Sequence, residues 1–276
     1  MKWIALLLMV VDHIGYYFGE HMPGEIYLLL RLVGRLSFPL FAYSVALGYI
    51  RTRSRPRYFA RMFLFAAMTE FAFYLTHLLT GEPFFINVLF TFSLAIGCMI
   101  FIEWISFARW GRDGFSDTYA RNEDVPGILR TRSPAGIVVF AILGIVILVL
   151  LTLVFLPDYD VYGIITVLIY SYFLRKGAIP VINTKQAGLS SSQLMRIIPI
   201  FGVLLAQNLI CFFVRTLWRG LDTGFATLQI FSCCAVFLLL LERPTVKPKR
   251  WSKYFFYVFY PAHIVVFMLM KAYLFR

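Results

Sequence analysis

The chain predicts an all-α fold, a polytopic transmembrane helical bundle of about nine spans with the N-terminus in the cytoplasm and the C-terminus outside. Three observations point there. Apolar residues make up 61% of the 276 residues and charged residues 14%, where a soluble domain carries about 45–50% and about 25%. The apolar residues gather into runs near the ~20 residues that cross ~30 Å of hydrocarbon. The segments between the runs alternate in charge, and the positive-inside rule then sets the orientation.

The nine runs are residues 2–18, 26–50, 58–79, 84–108, 135–156, 160–174, 194–218, 224–241 and 253–275. The first has no small-residue cleavage site and runs into Asp12-His13, so it reads as a retained helix and not a signal peptide. The second carries Arg31, Gly34, Arg35 and Pro39. Glycine admits a close neighbour, and proline removes a donor and kinks the helix just inside Arg35. The sixth run is short. No long polar stretch could fold by itself, so residues 1–276 read as one transmembrane domain with 109–134 as a cytoplasmic loop insert.

The basic residues sit on one side of this arrangement. They are Arg51, Arg53, Arg55, Arg57 and Arg61, then five arginines mixed with four acids in 109–134. Arg175, Lys176, Lys185 and Arg196 follow, then Arg243, Lys247, Lys249, Arg250 and Lys253. The intervening loops hold Glu20, Glu25, Glu82, Asp158, Asp160 and Asp222, with Arg219 as their one basic residue. The net charge of +12 therefore reports basic cytoplasmic loops and predicts a lipid bilayer as partner, with no nucleic acid. The four cysteines, Cys98, Cys211, Cys233 and Cys234, all lie in apolar runs, so they read as packing thiols and not as a disulfide framework.

Arg31 and Arg35 stand four residues apart and share one helical face. Ionisable groups inside a membrane turn inward and mark functional sites. At about 1.5 Å of rise per residue, His13, Arg35 and His263 fall near the midplane, with Glu70 and Asn208 at similar depth. These groups suggest a shared internal cavity. Asp12 has the plain reading of an ion-pair partner for Arg35 or Arg31. His13 points about 100° away from Asp12 on the same helix, so the two side chains sit beside one another without bonding. His263, in Phe259-Tyr260-Pro261-Ala262-His263, either serves the site or caps the carbonyl that Pro261 leaves bare one turn earlier. Glu70 reads as a buried partner for an arginine, and Gln207 and Asn208 as interhelical hydrogen-bond donors and acceptors. The sequence has no Gly-rich phosphate loop and no His-Glu-x-x-His, so neither an ATPase nor a zinc protease is supported, and no metal is expected.

Several motifs then resemble the TraX family in order along nearly the whole chain. They are Asp12-His13-Ile14-Gly15, the stretch LRLVGRLSFPLFAY from Leu30 to Tyr43, and Asn87. Asp158-Tyr159 with Tyr162-Gly163 and the FYPAH run ending at His263 complete the set. That resemblance implies a multi-pass protein of the bacterial cytoplasmic (inner) membrane, in a family named for the enzyme that acetylates the N-terminal amine of conjugative pilin. It implies acetyl-CoA or another acyl-CoA as co-substrate. The acceptor would be an amine or hydroxyl at the envelope: a pilin N-terminus, a surface glycan or a lipid-linked molecule. His13 matches the proposed base, with Asp12 beside it. Arg31 and Arg35 match the arginines near the donor, with Arg51 and Arg53 in the basic segment that holds the 3′-phosphate of CoA. Asn87, Asp160, Tyr162, His263 and Glu70 are the expected substrate contacts. The 109–134 segment matches no family motif.

The chemistry fits these residue types. Attack on a thioester requires the acceptor to lose a proton, which a neutral imidazole takes. The arginines either stabilise the oxyanion or bind donor phosphates. Two other classes compete. A transporter or flippase for an anionic solute would use Arg31 and Arg35 as its binding pair, and a membrane scaffold would use them only as structural charges.

Overall fold

A computed structural model describes residues 1–110, 133–176, 191–219, 223–241 and 250–274. Apart from short turns these residues are helical, with no strand among them. The helices are α1 (Lys2–Phe18), α2 (Gly24–Gly34), α3 (Ser37–Arg51), α4 (Arg55–Thr80), α5 (Val88–Trp110) and α6 (Pro134–Phe155). After them come α7 (Asp160–Arg175), α8 (Ser191–Arg219), α9 (Thr223–Ile230), the single turn α10 (Ala235–Leu238) and α11 (Arg250–Leu274).

Among the described residues, six stretches are long and apolar enough to cross a membrane: Gly24–Arg51 (α2 with α3), Arg55–Thr80, Val88–Arg109, Pro134–Phe155, Met195–Thr216 and Tyr254–Leu274. Their outward faces are apolar. α6 has a mean hydropathy of 3.4 and exposes Val139, Ile142, Leu143, Val146, Ile147 and Leu150. A helix apolar on all sides and bare to its surroundings belongs in lipid. This is the signature of a multi-pass membrane protein.

Six is fewer than the nine that apolar runs alone predict. α1 has 17 residues and α7 has 16; at about 1.5 Å per residue they reach about 25 Å. The 224–241 run breaks into α9, a tight turn at Phe231–Cys234, α10 and a second tight turn at Leu239–Leu241. At that break the Ser232 hydroxyl donates to Asn208 Oδ1 at 3.4 Å. The orientation inferred from nine crossings does not follow from six. Most of the 109–134 segment, residues 111–132, lies outside the described residues.

The chain forms two compact units. The first comprises Met1–Ser44, Thr69–Phe84 and Lys176–Arg276; the second comprises Val45–Met68 and Phe85–Arg175. In the first unit α1 packs against α2 through glycine. A Cβ on Gly34 would collide with Cβ, Oδ1 and Cα of Asp12, and one on Gly15 would lie 3.1 Å from Arg31 Cδ. This close approach is the small-residue packing typical of membrane helices. α1 also packs along α11 through an aromatic seam. Trp3 lies 5.3 Å from Phe255 and 5.0 Å from Phe256, and Tyr17 lies 6.1 Å from Phe267. Residue numbers rise together on both sides of the seam, so the two helices run parallel. Near the end of α11, Lys271 pairs with Glu82 at 3.2 Å.

In the second unit α5 and α6 meet where Gly144 faces Phe101 and Gly97 faces Leu148. Ser133 caps α6 by accepting the Gly136 N–H at 3.2 Å, with Pro134 at the first helical position. Leu156, Tyr159 and Asp160 adopt positive φ in the α6–α7 turn. The Asp158 N–H donates to the Ile86 carbonyl at 2.8 Å, and the Thr91 hydroxyl donates to the Asp158 carbonyl, which ties that turn to the start of α5.

Candidate active site

The site is assembled in the first unit by α1, α2 and α11. The i, i+4 spacing puts Arg31 and Arg35 on the face of α2 that Gly34 brings against Asp12. Pro39 lacks the N–H that would bond the Arg35 carbonyl, and α2 ends there: Arg35 and Leu36 form a turn before α3 starts at Ser37. Arg35 therefore sits at a helix junction, where its side chain turns back onto α1. The Ser37 hydroxyl donates to the Ala5 carbonyl at 2.9 Å and pins the junction to α1.

Asp12 takes both guanidiniums, where the sequence left the choice open. Arg31 Nη1 lies 2.9 Å from Oδ2 and also donates to the Asp12 backbone carbonyl at 3.2 Å. Arg35 Nη2 lies 3.1 Å from Oδ1 and 3.2 Å from Oδ2. All three residues are buried. One carboxylate against two guanidiniums leaves a net charge of about +1. Paired charges of this kind are the form in which a membrane interior tolerates ions. Arg31 also lies over the Tyr16 ring, 5.5 Å from its centroid, a cation–π contact that the sequence reading did not include.

His13 is the next residue along α1 and turns toward α11. Its Nδ1 lies 2.8 Å from Nε2 of His263, and the rings stack with centroids 5.0 Å apart. His263 Nδ1 in turn donates to the Phe259 carbonyl at 2.8 Å. Sequence reasoning offered the carbonyl freed by Pro261 as the partner of His263, which is that of Tyr257. The acceptor is instead the carbonyl one helical turn before the histidine itself. Phe259 stacks on the His263 ring at 5.2 Å with 14° between planes, and Phe267 meets it edge-on at 5.9 Å.

The structure thus brings together Asp12, His13, Arg31, Arg35 and His263. Glu70 is half-buried on the α4 portion of the same unit. Asn208 bonds to the Leu204 carbonyl at 2.8 Å and to Ser232, the glue role read for it. The other expected contacts lie in the second unit. Arg51 and Arg53 are exposed at the end of α3 and in the turn after it. Asn87 caps α5, its Oδ1 accepting the Leu89 N–H at 3.1 Å and its Nδ2 donating to the Ala66 carbonyl at 2.9 Å. Asp160 caps α7 by accepting the Tyr162 N–H at 3.0 Å, and the Tyr162 ring is buried.

Sequence reasoning missed a second charge cluster, in that second unit. Glu103, buried on α5, pairs with Arg55 at 3.1 Å and Arg175 at 2.6 Å and accepts the Tyr49 hydroxyl at 2.8 Å. The available signal was a lone acid in the apolar 84–108 run. Arg55 was read with its neighbours in the 51–61 segment, as a marker of topology and a hold for CoA phosphate, and not as a partner for Glu103.

Comparison with known proteins agrees with the motif pattern. No solved structure matches the chain. A curated relative, described as "Probable fimbrial assembly protein FimC, serogroup H1" from Dichelobacter nodosus, is 30% identical over 105 residues, covering 35% of this chain and 42% of the relative. The chain thus spans about two-fifths of that relative's length. The family model described as "TraX protein" matches residues 1–271, and the chain belongs to the TraX family.

Proposed function

We propose that this protein is a membrane-embedded acyltransferase that moves an acetyl or other acyl group from cytoplasmic acyl-CoA to an amine or hydroxyl acceptor at the cell envelope. One observation carries the reading: a histidine ring and a buried, net-positive arginine pair meet on consecutive residues of α1. His13 supplies a proton acceptor. The Asp12–Arg31–Arg35 cluster supplies preorganised positive charge for an oxyanion, in a setting where charge is poorly screened. Family membership supports acetylation as the chemistry, because the family is associated with pilin acetylation. The fimbrial relative supports a pilin-like acceptor.

Within this reading the N-terminus lies in the cytoplasm of a bacterial inner-membrane protein. Exposed Arg51 and Arg53 would meet the phosphates of CoA. Glu70 stays a candidate contact for the acceptor, and the buried Tyr162 with its neighbour Asp160 and the α5 cap Asn87 hold the backbone beside the α6–α7 turn. Because Asp12 already engages both guanidiniums, the cluster suits a single developing negative charge better than a multiply charged solute, which separates this reading from transport.

The test is purified protein in vesicles with labelled acetyl-CoA and envelope extract, followed by mass spectrometry of the molecules that gain label. Label on a specific acceptor, lost in His13→Ala with the protein still inserted, is the expected result. Uptake of an anion without any acyl donor, and no labelled product, would replace the reading with transport.

A further inference from the structure

Resting on the acyltransferase reading, we propose that His263 is a positioning residue: it holds His13 in the tautomer whose Nε2 is bare, and it steadies that ring once it takes the acceptor's proton. The argument starts at a backbone carbonyl, which can only accept. The Phe259 carbonyl lies 2.8 Å from His263 Nδ1, so this nitrogen carries hydrogen. In a neutral imidazole the other nitrogen is then an acceptor, so His263 Nε2 offers a lone pair. It faces His13 Nδ1 at 2.8 Å. Two bare nitrogens at this distance would repel, so His13 Nδ1 carries hydrogen and donates it. His13 Nε2 is left with its lone pair, and among the described residues no hydrogen bond reaches it.

The relay is held rigidly. His263 is 8% exposed, with Phe259 stacked on its ring, Phe267 on its edge and Tyr260 6.0 Å away. A base oriented by a third group is the general form of an activated acyl-transfer site. Here a second histidine backed by a main-chain oxygen fills the role more often given to a carboxylate. Asp12, although adjacent, is committed to the arginines.

The step balances. The acceptor's nitrogen or oxygen forms a bond to the thioester carbonyl carbon as His13 Nε2 removes its proton. The C–S bond breaks with its electron pair going to sulfur, and His13 Nε2–H returns the proton to give the CoA thiol. The His13 Nδ1–H stays on the His263 hydrogen bond throughout.

The experiment is nitrogen NMR of full-length protein in nanodiscs with ¹⁵N-labelled histidine rings, the signals assigned by their loss in His13→Gln and His263→Gln. The expected spectrum shows both rings neutral and protonated on Nδ1, with a through-hydrogen-bond coupling between His13 Nδ1 and His263 Nε2. His13 protonated on Nε2, or an imidazolium at His263, overturns the relay whatever the activity. Kinetics follow. His263→Leu should lower kcat by about 10- to 100-fold with KM for acetyl-CoA unchanged. His263→Gln, whose amide oxygen can accept from His13 Nδ1–H, should recover part of that loss. A raised KM with kcat intact, or equal loss in both variants, would overturn the positioning role and make His263 a binding or packing residue. Correct tautomers with an active His13→Ala would leave the hydrogen bonds standing and remove His13 as the base.

Discussion

Two charge clusters, each centred on a buried carboxylate, have the same ionic makeup and different surroundings. Asp12 is held by Arg31 and Arg35, and Glu103 is held by Arg55 and Arg175. In each, one carboxylate bridges two guanidiniums, and an aromatic ring lies under an arginine: Tyr16 below Arg31 and Tyr49 below Arg55. The Glu103 cluster closes with the Tyr49 hydroxyl, a donor that completes the coordination of the carboxylate. The Asp12 cluster adjoins a histidine that faces another helix. The shared ionic pattern is therefore a way to keep charge inside an apolar fold. Proton chemistry becomes available only where a titratable ring adjoins it.

That contrast can be broken at several points. The largest effect belongs to His13→Ala, which removes the base and should lower acyl transfer by about 10²- to 10⁴-fold, read with labelled acetyl-CoA, while membrane insertion is kept. An active variant would place the two clusters on the same footing. Next come Asp12→Ala and Glu103→Ala. The first strands two buried guanidiniums and the second strands one, that of Arg55, and each should cost about 3–5 kcal/mol, seen as a lower midpoint in thermal unfolding. Only Asp12→Ala should also abolish transfer in the protein that remains folded. Equal loss of transfer in both would assign the Glu103 cluster a part in the reaction.

Gly34→Ala forces α2 away from Asp12. The overpacking should cost about 1–3 kcal/mol, and activity should fall with it, since the arginines move off α1. Full activity in this variant would show that the Asp12 geometry is not needed. The smallest effect is Tyr49→Phe. It removes the hydroxyl donor to Glu103 and should cost about 1–3 kcal/mol of stability without changing transfer. A drop in transfer there would again tie the second cluster to catalysis.

Much of the first cluster was legible in the sequence because its signals are local. The i, i+4 arginines, the glycine between them and Pro39 describe one face and one break, and Asp12-His13 offers them a counterpart at that depth. The Asp12 pairing with both arginines was not readable, because the choice depends on how closely Gly34 lets the helices approach. The His13–His263 bond joins residues 250 apart, and nothing in sequence spacing selects one midplane histidine partner over another polar group. Arg55 was hidden among five arginines that the alternation of loop charge already explained. The break in 224–241 left no trace either, since that run has no proline after Gly224 and its bend is met by Ser232 on a distant asparagine. Asn87 stood out as a motif position and Asp160 as an expected substrate contact, yet each caps a helix, a task that the sequence cannot distinguish from ligand binding.

The parallel seam between α1 and α11 also constrains topology. Helices that point the same way side by side start at one end of the seam, where Trp3 meets Phe255 and Phe256, and run together toward the other, where Tyr17 meets Phe267. The chain between Phe18 and Arg250 must therefore return to the end of the seam at which it started.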